Sequence, residues 1–171
     1  APMGWGLPAS VGAYYANKKL LTICLTGEGG LMMNIQELST VMHNKLPIKI
    51  FIFNNGGYLT IKQTQQLGFN SRIMGADKKS GISFPNFKKI AASFNIKYIS
   101  FNQNLQINTK SLNKICKSKA PVICELFMDP EQEQMPKAIN QRDKKGKPIP
   151  TAFEDLHPFL NKKEIIDSLN I

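Results

Sequence analysis

The sequence is poor in the features that mark several large classes of protein. Its three cysteines, at positions 24, 116 and 124, form neither a CxxC pair nor a metal-ligand spacing. This excludes a disulfide-bonded scaffold and is typical of buried thiols in a reducing compartment. No apolar run reaches the length of a membrane span, and no charged segment followed by an apolar one stands near the first residue. We therefore expect a cytoplasmic protein with no membrane partner.

Acidic residues are also scarce, with 12 Asp and Glu against 22 Lys and Arg and a formal net charge of +10. A basic balance is one mark of nucleic-acid binding. Here the lysines are spread along the whole chain, and no basic run is interleaved with aromatic residues. We therefore expect no nucleic-acid partner, and interpret the positive surface as one that attracts anionic small molecules.

Apolar runs and amphipathic segments alternate along most of the chain. The predicted strands cover residues 20–26, 48–53, 96–101 and 121–127, and the predicted helices cover residues 7–17, 35–43, 58–67, 87–94 and 109–117. Such alternation is typical of an α/β domain in which an open parallel sheet carries helices on both faces. We expect the first strand to be buried on both faces, as parallel sheets require.

The composition changes near residue 129, which divides the chain into two predicted parts. Residues 1–128 form the α/β domain. Residues 129–171 are rich in Pro, Gln and Lys at first and read as an irregular C-terminal arm. Short helices are expected within the arm over residues 151–160 and 162–169.

Two polar turns follow the first two predicted strands. Gly-Glu-Gly-Gly occupies residues 27–30, and Asn-Asn-Gly-Gly occupies residues 54–57. Each alone is compatible with a plain tight turn. Because the carboxyl ends of neighbouring parallel strands share one edge, where open sheets bind ligands, we expect Glu28 and Asn55 to face the same crevice. Hard oxygen donors beside free backbone N–H groups suit Mg²⁺ and a phosphate ester.

The segment between these turns carries a helix-start signal. Asn34 is predicted to cap the helix over residues 35–43, with Glu37 in the capping-box position. Both residues then have a structural reason for their identity, and we assign them no chemistry.

The two turns resemble the signature of thiamine-diphosphate enzymes, which is Gly-Asp-Gly, a helix and a strand, and then Asn-Asn. Met-Gly-Trp-Gly-Leu-Pro-Ala at residues 3–9, Met-Asn-Ile-Gln-Glu-Leu-Ser-Thr at 33–40 and Asn-Gly-Gly-Tyr at 55–58 resemble the acetolactate synthase group. The resemblance covers the chain as one unit, the C-terminal diphosphate-binding domain with its thiamine-diphosphate-binding fold. It implies an enzyme that decarboxylates a 2-oxoacid, pyruvate, and transfers the two-carbon unit to a second 2-oxoacid.

The resemblance also implies which residues bind the cofactors, thiamine diphosphate and Mg²⁺. The Glu28 and Asn55 side chains and the Gly57 carbonyl would bind the metal, and the N–H groups of Gly29 and Gly30 would bind phosphate oxygens. Met3 would contact the aminopyrimidine ring through its backbone. The full cofactor-binding set is Met3, Gly4, Gly27, Glu28, Gly29, Gly30, Asn55, Gly57 and Tyr58.

The sequence departs from the family pattern in two ways. Glu28 stands where the family has aspartate, which moves the carboxylate outward by about 1.5 Å, one C–C bond. We expect Glu28→Asp to bind metal at least as tightly. The activating glutamate of the family has no match, so we expect no catalytic residue in this chain and a partner that supplies it. The partner would be the pyrimidine-binding domain of the same or another chain, in a homodimer or homotetramer.

Three alternatives remain open from the sequence. The first is another 2-oxoacid decarboxylase or carboligase of the same family. The second is a non-catalytic binding or assembly module that kept the fold, which the Glu28 departure favours. A simple nucleotide-binding domain is the weakest, because the first turn lacks the third glycine of GxGxxG.

Overall fold

The larger part of the chain is built on an open parallel sheet. The computed structural model describes residues 2–102 and 107–169 and divides the chain into two compact units, Ala1–Gln132 and Glu133–Ile171. Within the described residues of the first unit the sheet has the order β1-β2-β4-β3. All its neighbours pair in parallel, which confirms the predicted fold class. Its strands are β1 (Ile23–Gly27), β2 (Lys49–Asn54), β3 (Lys97–Phe101) and β4 (Val122–Phe127).

Helices alternate with these strands along the chain. They are α1 (Gly6–Ala16), α2 (Glu28–Met33), α3 (Leu38–His43), α4 (Leu59–Gly68), α5 (Phe87–Ser93) and α6 (Thr109–Cys116). Short 3₁₀ turns add Ile35–Glu37 and Lys78–Ser80. The main departure from the predicted pattern is α2, because Glu28 starts a helix directly at the end of β1 where a glycine loop was expected. None of the helices described is both long and apolar enough to cross a bilayer.

Apolar clusters lie on both faces of the sheet and confirm that helices cover both. One face contributes Ile50, Ile52 and Ile123 to a cluster completed by Leu7, Leu31, Leu38, Val41, Phe87 and Ala91. The opposite face contributes Phe51, Cys124 and Leu126, which pack with Ile115 and Leu112 of α6. Burying such a side chain stabilises the fold by about 1.5–3 kcal/mol, so the sheet is held from both sides.

The first strand is less buried than predicted. β1 is an edge strand, and its residues Ile23 and Leu25 pair in register with Lys49 and Phe51 of β2. Ile23 is 45% exposed and Leu25 is 63% exposed. The expected burial on both faces is therefore wrong for β1, because the cluster formed with α6 lies over β2, β3 and β4.

A fully buried lysine stands at the amino end of β2. The Lys49 side chain has no exposed surface, and its Nζ donates hydrogen bonds to the carbonyls of Pro47 (2.6 Å), Ser118 (2.7 Å) and Ala120 (2.8 Å). An ammonium group carries three N–H donors, so each has an acceptor. Burial lowers the pKa of Lys49. This charge ties the start of β2 to the loop that precedes β4.

The second unit has little regular structure. Strands β5 (Gln141–Arg142) and β6 (Pro148–Ile149) form an antiparallel hairpin, and α7 (Lys162–Leu169) confirms the second helix predicted there. The helix expected over residues 151–160 is wrong. The Thr151 hydroxyl instead donates to the Ile139 carbonyl, and His157 pairs with Lys137 in an antiparallel bridge, which draws the backbone out of a helical path.

Candidate functional site

The turns that follow β1 and β2 meet at the carboxyl end of the sheet. Parallel pairing sets Gly27 opposite Phe53, so the residues after each strand are neighbours. Glu28 Oε1 accepts hydrogen bonds from the backbone N–H groups of Asn55 (3.1 Å) and Gly57 (2.8 Å). The structure thus brings together the three residues expected to bind metal, although Glu28 lies 27 residues before Asn55 in the sequence.

The Glu28 carboxylate is buried without a charged partner. Its residue is 1% exposed. Burial raises the pKa of Glu28, and the hydrogen bonds from its own N–H and from the Asn55–Gly57 turn oppose that rise. Among residues 2–102 and 107–169, no lysine or arginine forms an ion pair with it. A buried carboxylate without a cation is costly, so a positive ligand at this position would be stabilised.

The turn after β2 is held by side-chain acceptors. Asn54 Oδ1 accepts the N–H of Gly56 (3.0 Å), and Asn55 Oδ1 accepts the N–H of Gly57 (3.2 Å). Gly56 has a φ of +78°, a left-handed conformation that favours glycine. With the bonds to Glu28, the N–H groups of residues 55–57 each have an oxygen partner. The turn is therefore fixed by its own amides and by one carboxylate.

Two glycines of the predicted site make room for protein groups. A Cβ on Gly29 would overlap the ring of Tyr58, which packs edge-to-face on Phe84 with ring centroids 5.5 Å apart. A Cβ on Gly57 would overlap the carbonyl of Ala76, which accepts the N–H of Tyr58 at 2.7 Å. The absence of a side chain at these two glycines thus leaves room for Tyr58 and for the segment that contains Ala76.

The segment before α1 packs against α2. Gly4 has a φ of +86°, and its carbonyl accepts a hydrogen bond from Asn34 Nδ2 at 3.0 Å. A Cβ on Gly4 would lie only 2.7 Å from the Cβ of Met33 and 2.9 Å from Asn34 Nδ2. Met3 is about half exposed beside this contact. Asn34 makes no side-chain cap to the helix that follows. The predicted cap is wrong because Asn34 Oδ1 accepts a hydrogen bond from Gln36 Nε2 at 3.3 Å, while the Gly4 carbonyl holds Nδ2.

A cavity of about 680 Å³ opens beside the turn of β2. Such a volume accommodates a typical small-molecule ligand. Lys62 lies in its wall and forms ion pairs with Asp77 (3.5 Å) and Glu131. The hydrogen bond from Lys62 to Glu131 raises the pKa of Lys62, and hydrogen bonds from Ser80 lower the pKa of Asp77. The lining residues are Asn55, Gly56, Gly57, Leu59, Lys62, Ile73, Ala76, Asp77, Lys78, Lys79, Ser80, Pro130 and Glu131.

The sequence interpretation missed a polar network under the turn. Asn54 Nδ2 donates to Glu125 Oε1 at 2.5 Å, and the Tyr98 hydroxyl donates to Glu125 Oε2. Burial and the bond to Glu125 raise the pKa of Tyr98 to about 12. One signal was present, because Glu125 is a lone carboxylate inside an otherwise apolar predicted strand.

A metal at this site would need ligands of more than one kind. In the described ranges, no group of three or more His, Cys, Asp or Glu side chains is placed to hold a metal ion. One carboxylate and one amide oxygen are present at the turns, and both are hard donors of the kind that Mg²⁺ prefers. The remaining ligands would come from backbone carbonyls, a bound anion and water.

Comparison with known proteins assigns the chain to a family. The profile described as "Thiamine pyrophosphate enzyme, C-terminal TPP binding domain" matches residues 1–126. The acetolactate synthase large subunit of Porphyra purpurea is 40% identical over 123 residues, which cover 72% of this chain and 20% of that protein. The acetolactate synthase isozyme 1 large subunit of Escherichia coli K12 is 34% identical over 134 residues, or 78% of this chain and 23% of that protein.

A solved structure supports the same fold. The thiamine diphosphate-dependent 4-hydroxybenzoylformate decarboxylase of Rhodococcus jostii RHA1 superposes with a TM-score of 0.63 at 23% identity, over 74% of this chain and 23% of that one. This chain spans about a fifth of the length of the curated relatives it matches. The matched profile, the shared parallel sheet and the adjoining Glu28 and Asn55 turns lead to one conclusion: the chain belongs to the family of C-terminal thiamine-pyrophosphate-binding domains of thiamine pyrophosphate enzymes.

Proposed function

We propose that this chain is the diphosphate-binding domain of an acetolactate-synthase-like enzyme. The reaction is the decarboxylation of a 2-oxoacid, pyruvate, followed by transfer of the two-carbon unit to a second 2-oxoacid. The observation that carries the proposal is the bonding of Glu28 Oε1 to the N–H groups of Asn55 and Gly57, which joins the two halves of the family motif at one edge of the sheet. The acetolactate synthase names of the sequence relatives support the choice of reaction.

The residues present fit thiamine diphosphate with Mg²⁺. Glu28 is buried without a cationic side chain, so a divalent ion would offset the cost of burying its charge. We assign the metal to the Glu28 carboxylate, the Asn55 side-chain oxygen and the Gly57 carbonyl. The backbone N–H groups of Gly29 and Gly30, in the first turn of α2, bind the phosphate oxygens because helix starts leave such groups without partners.

When bound, thiamine diphosphate would supply a nucleophilic carbon and an electron sink for decarboxylation of the 2-oxoacid. The chain's own residues bind and orient the diphosphate end. Glu28 and Asn55 hold the metal, and Gly4 and Met3 form the neighbouring backbone contact toward the aminopyrimidine ring. The positive net charge favours the approach of anionic substrates.

This domain holds half of the active site in the proposal. The activating glutamate has no counterpart in its motifs, so it comes from a pyrimidine-binding domain in the same polypeptide or on a second copy. We therefore propose a homodimer or homotetramer with the site at the interface, acting in the cytoplasm. Size-exclusion chromatography with light scattering on the protein that carries this sequence tests the oligomeric state.

Isothermal titration calorimetry tests the cofactor assignment. Thiamine diphosphate is titrated into the assembled protein, in which the partner domain is present, with Mg²⁺ and then with EDTA. Binding that requires Mg²⁺ supports the assignment, and the absence of binding in both conditions overturns it. Release of CO₂ from pyruvate in the assembled enzyme, and formation of acetolactate, then test the reaction.

A non-catalytic module of the same fold is the second candidate. The bonds of Glu28 Oε1 to two backbone N–H groups favour it, because they give this residue a purely structural use. The same titration separates the two candidates. A protein that folds and assembles but binds no thiamine diphosphate at any Mg²⁺ concentration is the module.

A further inference from the structure

A buried carboxylate joins three adjacent strands beneath the candidate site. Glu125 lies on β4 and is 3% exposed. Its register partners are Ile52 on β2 and Ser100 on β3, so it stands in the interior of the sheet. Both of its oxygens have donors, since Asn54 Nδ2 bonds Oε1 and the Tyr98 hydroxyl bonds Oε2. This carboxylate is therefore buried and bonded on each oxygen to a neighbouring strand.

Glu125 determines which way the Asn54 amide faces. A carboxylate accepts hydrogen bonds and does not donate them, so it selects the NH₂ end of Asn54. The carbonyl end of the amide then faces the turn and accepts the N–H of Gly56 at 3.0 Å. Burial and the bond to Glu125 raise the pKa of Tyr98 to about 12, which keeps its hydroxyl a donor at neutral pH.

The turn that Asn54 holds carries the proposed metal ligands. Gly56 has a φ of +78° and stands between Asn55 and Gly57. Their N–H groups both reach Glu28. Without the Asn54 carbonyl, the Gly56 N–H would lose its 3.0 Å acceptor, and the peptide planes that flank Gly56 would be held less firmly. The Asn55 side chain and the Gly57 carbonyl, which adjoin those planes, would then be less precisely placed.

We propose that Glu125 is a positioning residue of the diphosphate site, acting through the side chain of Asn54. It orients the Asn54 amide, and that amide fixes the turn in the conformation at which Asn55 and Gly57 meet Glu28. The proposal rests on the assignment of this turn to the metal and cofactor. It predicts that Asn54 and Glu125 are coupled in cofactor affinity, although neither touches the ligand.

A charge swap tests this coupling. Asn54→Asp sets a carboxylate against Glu125 and is expected to weaken Mg²⁺-dependent binding of thiamine diphosphate by at least about tenfold, the scale of outer-shell effects. In the double variant N54D/E125Q the glutamine NH₂ donates to the carboxylate introduced at position 54, and the glutamine carbonyl accepts from Tyr98. The Gly56 N–H keeps an acceptor and the net charge equals that of the parent. We expect the double variant to return to within about threefold of the parent affinity.

Asn54→Ala provides the test without a change of charge, and we expect it to weaken binding by about tenfold as well. Ile52→Val is the matched control, since Ile52 is buried on the same strand, pairs with Glu125 and lies outside the network. It should lower the urea midpoint slightly, because one buried methyl group is lost, and leave the dissociation constant unchanged. Parent-like binding by Asn54→Ala, or a double variant no better than N54D, overturns the proposal. If N54D does not fold, Asn54→Ala and the double variant decide.

Amide hydrogen exchange of the ligand-free chain separates this inference from the proposed function. Asn54→Ala should speed exchange of the Gly56 N–H, and N54D/E125Q should slow it again relative to N54D. If the parent binds no thiamine diphosphate, the cofactor assignment fails and the exchange rates alone judge whether Glu125 orders the turn. Unchanged exchange at Gly56 in all variants overturns the positioning role.

Discussion

An ionisable side chain is buried at each end of β2, and the two side chains differ in their bonding partners. At the amino end, Lys49 has no exposed surface and its Nζ bonds three backbone carbonyls. At the carboxyl end, Glu28 is equally hidden, yet one of its oxygens takes two backbone N–H groups and no cation is paired with it within the described residues. All three donors of Lys49 are bonded within the protein, whereas Glu28 can still accept a positively charged ligand.

This difference separates a structural charge from a functional one. Lys49 has used all three donors, so nothing more can bind it. Glu28 retains acceptor capacity because a carboxylate offers about four lone-pair sites. Burial shifts both pKa values toward the neutral forms, downward for Lys49 and upward for Glu28. A shifted pKa alone therefore does not identify the functional site, whereas the remaining acceptor capacity of Glu28 does.

The largest expected effect comes from removing the Lys49 ammonium group at the amino end of β2. Lys49→Met leaves three buried carbonyls without their donor, and we expect it to lower the free energy of unfolding by about 2–4 kcal/mol. Urea denaturation followed by circular dichroism measures this loss. Lys110→Met, an exposed change on α6, should stay within about 0.5 kcal/mol of the parent. A Lys49→Met protein as stable as the parent would mean that the desolvation of the ammonium cancels its bonds.

The next largest effect is expected at the carboxyl end of β2, where Asn55 meets Glu28. Asn55→Ala removes a proposed metal ligand, and we expect the Mg²⁺-dependent affinity for thiamine diphosphate to fall by at least about 100-fold, or about 2.7 kcal/mol. Calorimetry with and without EDTA measures it. Asn113→Ala, exposed on α6, is the control and should bind like the parent. An unchanged dissociation constant for Asn55→Ala would remove this residue from the metal site.

The sequence was enough to predict that Glu28 and Asn55 lie together, because their positions follow from local features of the chain. Glu28 and Asn55 each follow an apolar strand directly, and strands joined by a helical crossover pair in parallel with their carboxyl ends together. Strand type and the order of elements are encoded in short windows of sequence. The meeting of Glu28 with Asn55 follows from them without knowledge of the remaining strands.

The polar network under the turn could not be predicted from the sequence, because it depends on contacts between distant parts of the chain. Tyr98, Glu125 and Asn54 meet only because β4 inserts between β2 and β3, and alternation along each strand does not specify that order. The Asn34 cap failed in a similar way, since the Gly4 carbonyl that holds the Asn34 side chain lies 30 residues away in sequence. Long-range partners outcompete a local motif, and a single sequence gives no sign of them beyond a charge in an apolar strand, as at Glu125 and Lys49.

A smaller effect tests whether the turn is built around glutamate. Glu28→Asp shortens the side chain by about 1.5 Å. The sequence alone favoured metal binding at least as tight in this variant. The bonds of Glu28 to Asn55 and Gly57 reverse that expectation, because an aspartate falls short of both N–H groups. We expect a loss of about 1–2 kcal/mol in the ligand-free protein and weaker cofactor binding, measured by urea denaturation and calorimetry. Parent stability together with tighter binding would restore the first expectation.

The smallest expected effect is the pH dependence of stability that arises from Glu28. Burial raises the pKa of Glu28 above its ordinary value of 4.5, so the folded chain holds this proton more tightly than the unfolded chain. The contribution of Glu28 to stability is therefore full below pH 4.5 and is lost as the pH rises through the raised pKa. Glu28→Gln lacks this proton, so the stability of the parent relative to the variant should decline from about pH 4 toward neutral pH, measured by urea denaturation at each pH. With saturating Mg²⁺ and thiamine diphosphate the trend should reverse, because the metal binds the ionised carboxylate. A difference that stays flat in both conditions would mean that neither burial nor the metal moves the pKa of Glu28 from its value in the unfolded chain.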